Sequence, residues 1–305
     1  MVRKSVMAWL LDSDPSIRWQ VLRDLAKAEE TVVQTERDKV AETGWGAELL
    51  SQQTDQGDWS GDDPGLLRTI HCLILLKDLG VNPMAEKAKA MADKVTGLRW
   101  AYHGNQPFWD GEVEPCINGK VLAAGSYFGI RCERVLEKLL GEQLEDGGWN
   151  CEAPASNRSS FHTTIAVLEG LSEYERAFGR NGDCTDARVK AEEYLLERRL
   201  FRRQSNGEVI SKAWLRFHFP PTWHYDVLRG LEYMRSSGRK PEARMAEAIE
   251  IVKLRRHQNE RWPLVKPYPD DLLKFPMETN VGAASRWNTL RALRVLEWYD
   301  NTIAE

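Results

Sequence analysis

Residues 143–152 read "QLEDGGWNCE", and 161–171, a little further on, read "FHTTIAVLEGL". The first stretch is a charged, glycine-bearing turn closed by a tryptophan, and the second is an apolar run at helical spacing. This order recurs: "QQTDQGDWS" (52–60) precedes "LLRTIHCLILLKDLG" (66–80), and "RRHQNERWPL" (255–264) precedes "RWNTLRALRVLEWY" (286–299). A turn-then-helix unit repeated along a chain is the signature of a repeat architecture, so its period decides the fold.

Three further apolar segments extend the series: "SIRWQVLRDLA" (16–26), "CINGKVLAAGSYFGI" (116–130) and "WHYDVLRGLEYM" (223–234). The segments starting at 16, 223 and 286 share an aromatic-x-x-Leu-Arg-x-Leu pattern. Between them lie charged segments such as "MAEKAKAMADKV" and "DARVKAEEYLLERRLF", which read as amphipathic helices with one apolar stripe. Apolar and charged helices therefore alternate. The pattern predicts an all-α single domain over 1–305, a ring of helical pairs with weakly charged inner helices behind amphipathic outer ones. The repeats run roughly 10–50, 51–100, 101–143, 144–200, 201–257 and 258–305. The likeness of the first and last copies calls for the two ends of the chain to meet. The only strand-like fragment is "GEVI" at 207–210.

Composition narrows the function. Hydrophobic residues make up 42% and charged residues 29% of 305, which suits a soluble globular protein. A net charge of -4 gives no basic face, so nucleic acid is not an expected partner. No window approaches a membrane span, and the short apolar stretch after the basic N-terminus is not a signal core, so a cytoplasmic protein is expected. Its five cysteines then read as reduced thiols or ligands. Cys72 and Cys132 lie in apolar surroundings and read as packing, and Cys184 reads as a surface thiol. The twelve tryptophans serve a large core or line an apolar cavity. Wedging between repeats is the reading for Trp59, Trp149 and Trp262, and cavity lining for Trp223 and Trp287.

The turn "QLEDGGWNCE" with the following "FHTTIAVLEGL" resembles the repeat superfamily of squalene cyclases and protein prenyltransferase β subunits, over roughly residues 15–300. That resemblance implies an α/α toroid of about six helical hairpins around a central apolar cavity. The closest local match is to the zinc-bearing prenyltransferase β subunits, whose Asp-x-Cys opens one inner helix and whose Phe/Tyr-His-Thr opens the next. Glu114 and Cys116 in "EPC" and His162 in "FHTT" hold the matching positions, with Glu in place of Asp. The resemblance thus implies a zinc ion on Glu114, Cys116 and His162, with an open position for chemistry. Cys151 is a possible fourth ligand that would close the site into a structural one. The plainer alternative is that the cysteines are small buried residues and His162 an ordinary helix-start histidine.

Other family features are absent. Of the cationic grip on a diphosphate only Lys120 is present, and on helical spacing it points elsewhere. The cyclase acid motif Asp-x-Asp-Asp is replaced by aspartate pairs at 61–65 and 268–273 that read as loop or cap acids.

In a ring, the starts of the inner helices share one rim. Counting back from the common Leu puts Arg18, Trp19, His71, Glu114, Cys116, His162, Thr163, His224, Tyr225, Asp226, Arg286, Trp287 and Asn288 there. His224, Asp226 and His71 are the candidate acids and bases, and Trp109, Tyr225, Trp223, Trp287 and Arg286 the candidate substrate contacts. The expectation is a zinc-dependent enzyme acting on an apolar, isoprenoid-like small molecule through activated water, thiol or carbonyl chemistry. The alternatives are a lipid- or partner-binding toroid with structural zinc, or a metal-free terpene cyclase.

Overall fold

The structure, a computed structural model, describes residues 3–59, 66–101, 104–265, 275 and 277–303. The aspartate pairs of 61–65 and 268–273 lie outside the described residues. In chain order the helices are α1 (Lys4–Leu11), α2 (Pro15–Asp24), α3 (Glu30–Asp38), α4 (Gly44–Ser51), α5 (Leu67–Leu79), α6 (Glu86–Thr96) and α7 (Pro115–Tyr127). They continue as α8 (Glu133–Gly141), α9 (Phe161–Phe178), α10 (Gly182–Glu197), α11 (Val227–Ser236), α12 (Ala246–Leu254) and α13 (Arg286–Ile303). Among the described residues the regular structure is helical apart from two-residue strand pairs, Arg99–Trp100 with Gln106–Pro107 and Trp262–Pro263 with Ala284–Ser285. Val209 of the expected strand fragment makes only an isolated bridge to Arg202. The chain divides into two compact units, residues 40–194 and residues 1–39 with 195–305.

In the unit of 40–194, α5, α7 and α9 are buried almost throughout, while α6 and α8 bury one stripe and keep a charged face in water. The close approach of α7 to α9 rests on two glycines. A Cβ on Gly119 would lie 2.5 Å from the Ala166 carbonyl, and one on Gly170 would lie 2.4 Å from the Gly119 carbonyl. Any larger residue there would force the helices apart. Cys72 and Cys132 are buried as expected, and so is Cys184. The expectation of a surface thiol at Cys184 fails because its loop is drawn into α10, which buries that side chain.

In the other unit the two ends of the chain pack together, as the likeness of the first and last repeats requires. Arg286 at the start of α13 donates to the carbonyls of Trp9 (3.3 Å) and Asp12 (2.8 Å). Arg294, two turns further on, bonds Gln20 and Asp24 of α2 and Glu232 of α11.

One hydrogen bond explains the repeat. The backbone N–H of Trp59 donates to Thr69 Oγ1 (3.1 Å), that of Trp149 to Thr164 Oγ1 (3.1 Å), and that of Trp262 to Thr289 Oγ1 (3.0 Å). In each case the indole N–H also reaches a carbonyl ten residues earlier, Leu49, Leu139 or Val252, at 2.7–2.8 Å. All three tryptophans are buried wedges, as read from the sequence. Two further helices use the same device with other side chains. Asn118 accepts from Glu112 N–H (2.7 Å), and Asp226 from His218 N–H (3.3 Å). Each anchor satisfies a buried backbone donor whose orphaning would cost about 1–3 kcal/mol. Thr69, Asn118, Thr164 and Thr289, each in the first turn of its helix, therefore set a common register, while Asp226 makes its bond from the N-cap of α11. Two residues before these four stand Leu67, Cys116, His162 and Trp287.

Candidate metal centre

Glu114 and Cys116 open α7, with Pro115 between them fixing the first helical residue. Glu114 is the N-cap residue by position, yet its side chain makes no cap bond. Its backbone N–H is taken instead by the Glu112 carboxylate at 2.6 Å, which leaves the Glu114 carboxylate exposed and turned to Cys116, with Oε2 3.5 Å from Sγ. Cys151 arrives from the turn after Trp149, and its Sγ lies 3.4 Å from the Thr163 hydroxyl at the start of α9. One ligand atom from each of Glu114, Cys116 and Cys151 lies within 4.8 Å of the others, the one such cluster of His, Cys, Asp and Glu among the described residues.

His162 stands outside this cluster. Consecutive helical residues point about 100° apart, so turning Thr163 towards Cys151 turns His162 to another face. Of the residues matched to the prenyltransferase motif, Glu114 and Cys116 lie in the cluster, and Cys151 is its third member.

The two thiols hydrogen-bond each other and behave as a pair. The proton held by Cys116 faces Cys151 and lowers the Cys151 thiol to about 7, against the opposing effect of burial and with help from Thr163. Cys116 is correspondingly pushed up, by that shared proton and by burial, although the charge of Lys120 works the other way. Lys120 is buried one turn along α7 and is close enough to act on the thiols, contrary to the expectation that it points elsewhere. The second position of α7 also places Cys116 in the positive field of a helix N-terminus. The pair is thus biased towards ionisation at Cys151, with the Glu114 carboxylate, Lys120 and the Thr163 hydroxyl close by.

Zinc bonded to sulfur at ~2.3 Å and to oxygen at ~2.0–2.2 Å in a tetrahedron holds its donors roughly 3.5–3.8 Å apart. Two cysteines and a carboxylate already gathered within 4.8 Å fit that ion with small side-chain movements. The three donors leave one coordination position for another group.

The remaining candidates are placed as follows. His71 is buried in α5, its Nδ1 2.7 Å from the Leu67 carbonyl. Trp109 is buried and donates to Thr96 Oγ1 at 3.1 Å. In the unit of 1–39 and 195–305, Tyr225 is fully buried and donates to the Leu200 carbonyl at 2.7 Å. Trp287 is buried and stacks on Phe219 at 4.2 Å, and Arg286 clasps α1 through the carbonyls above. Trp223 is 36% exposed and lies against His224, ring centroids 3.8 Å apart.

Asp226 is the N-cap of α11, accepting from Arg229 N–H at 2.8 Å and from His218 N–H. Burial pushes its carboxyl up, against Arg291 and those two N–H groups. His218 was not read from the sequence, because a lone histidine in a loop carries no periodic signal. Burial lowers it to about 4, with His224 and Arg291 acting in the same direction. Arg291, whose Nη1 donates to the His218 carbonyl at 2.9 Å, completes a buried polar group around Asp226.

No family model matches the chain, and no curated protein matches it. Among solved structures it is similar to the type II terpene cyclase MstE from Scytonema in its apo form, at 16% identity and a TM-score of 0.46, over 93% of this chain and 86% of that one. A variant of that cyclase in complex with geranylgeranyl dihydroxybenzoate (substrate) matches at 15% identity and a TM-score of 0.45, covering 93% and 84%. A protein from Actinoplanes matches at 16% identity and a TM-score of 0.45, covering 94% and 90%.

Proposed function

We propose that Glu114, Cys116 and Cys151 hold a zinc ion and that the protein is a zinc-dependent enzyme acting on an apolar, isoprenoid-like small molecule. The observation that carries this reading is the convergence of two sulfurs and a carboxylate oxygen within 4.8 Å, from the start of α7 and from the turn after Trp149. Support for an apolar substrate comes from the repeat and motif likeness to the cyclase and prenyltransferase superfamily. Zinc, when bound, would activate a coordinated water or thiol or polarise a carbonyl.

The protein's own residues do the rest. Cys151 enters as the thiolate, and Thr163 fixes the direction of its sulfur. Cys116 must give up its proton on loading, so uptake releases protons and weakens as pH falls. Lys120 and the N-terminus of α7 offset the negative charge of the three donors. Metal analysis of protein purified without added zinc should give about one equivalent per chain, and Cys116→Ser and Cys151→Ser should each remove most of it. A wild-type protein without zinc, whose two thiols instead join as a disulfide in air, would end the metal reading.

Asp226 favours a second reading, a metal-free cyclase. It is a buried acid with a raised pKa, the kind of proton donor the sequence alone did not reveal. Both its oxygens, however, accept backbone N–H bonds, from His218 and from Arg229, so it also has a structural role as the N-cap of α11. Asp226→Asn removes the acid and keeps an acceptor for one of the two N–H groups. Cyclisation of a prenyl substrate by wild-type protein after chelation, lost in Asp226→Asn, would support this reading over the first.

A further inference from the structure

We infer that a cavity at the far ends of α2, α11 and α13 binds a small organic monoanion, a carboxylate with an apolar body, on the guanidinium of Arg235. The cavity has a volume of ≈ 310 Å³ and is lined by Asp24, Lys27, Arg235, Arg294, Glu297 and Trp298, with Asn301 beside them. All belong to the unit that joins the two ends of the chain.

The argument is one of unmatched charge. Glu232 holds Arg291 at 2.5 Å and also binds Arg294. Asp24 takes Arg294 at 3.3 Å and is also held by the more exposed Arg23 at 2.6 Å, so it has little left for Arg235. In this partly buried group two carboxylates, Asp24 and Glu232, face three guanidiniums, Arg235, Arg291 and Arg294. Arg235 is the one left over: its Nε is sealed from solvent with no hydrogen-bond partner, and none of its nitrogens makes an ion pair or hydrogen bond with a described residue. At the rim, Lys27 already faces Glu297 at 3.9 Å.

Burial and the neighbouring Arg294 lower Arg235 to about 10 against the opposing charges of Glu232 and Asp24, so it is still charged at neutral pH and only partly compensated. A desolvated guanidinium without an acceptor is costly. Lying in the last turn of α11 offsets part of that through the helix dipole, but a field fills none of its N–H donors. A carboxylate in the cavity would accept two of them in parallel. Asp24 and Glu297 also line the cavity and repel added negative charge, so a monoanion fits better than a phosphate dianion. The Trp298 ring gives the apolar body a wall.

The experiment is calorimetric titration of the full chain with sodium benzoate and, separately, sodium phosphate, at ionic strength matched with chloride. Saturable benzoate binding is expected, at least about tenfold weaker in Arg235→Met. In unaltered protein, benzoate should also change the tryptophan fluorescence, and the change should be lost in Trp298→Phe. No saturable benzoate binding, an unchanged isotherm in Arg235→Met, or binding of phosphate but not benzoate would each overturn the proposal.

Discussion

Thr163 and Thr164 are neighbours at the start of α9, and their hydroxyls serve different ends. Thr164 accepts the Trp149 N–H, a bond that Thr69 and Thr289 repeat for Trp59 and Trp262. Thr163 touches Cys151, and the positions that correspond to this pair elsewhere hold Arg68 and Asn288 in place of the threonine, with Leu264 after Trp262. What recurs among the repeats builds the fold, and what departs from the repeat in one place builds the proposed metal site. The same contrast holds at α7, where Asn118 keeps the anchor while Glu114 and Cys116 are spared from capping.

If that division is right, substitutions on the two sides should behave differently. Trp149→Ala should cost about 3–5 kcal/mol in denaturant unfolding, by removing a fully buried ring and the indole hydrogen bond to the Leu139 carbonyl. The anchored loop around His218 should show next, in its pH dependence. His218 titrates lower in the folded chain than in the unfolded one, so the stability it contributes is intact above pH 6.5 and lost as pH falls towards about 4. The loss should reach at most roughly 3 kcal/mol and vanish in His218→Asn.

Thr164→Ala should cost about 1–3 kcal/mol by orphaning the buried Trp149 N–H. Thr163→Ala, one residue away, should change stability by less than about 0.5 kcal/mol. It should nevertheless raise the pH at which Cys151 reacts with iodoacetamide, since the hydroxyl that favours its thiolate is gone. Equal stability losses in the two threonine variants would break the comparison.

The alternation of apolar and charged helices was legible because burial imposes a helical period on every repeat. The tryptophan turns were legible as wedges, but not their threonine, asparagine or aspartate partners. A hydroxyl one turn into a helix looks the same whether or not it accepts a bond from a preceding loop. Glu114 and Cys116 could be found because motif spacing within a single turn survives folding. The choice between Cys151 and His162 could not be made that way, since a one-residue difference in helix phase decides which side chain faces the sulfur. Lys120 was misjudged for a related reason. On so fully buried a helix as α7, no polar stripe marks which way a lysine points.

X-ray absorption at the zinc edge, on protein loaded with one equivalent, tests the central claim most directly. The account predicts two sulfur neighbours at ~2.3 Å with oxygen or nitrogen completing the shell, falling to one sulfur in Cys151→Ser. One sulfur in the wild-type protein, or an unchanged shell in that variant, would contradict it.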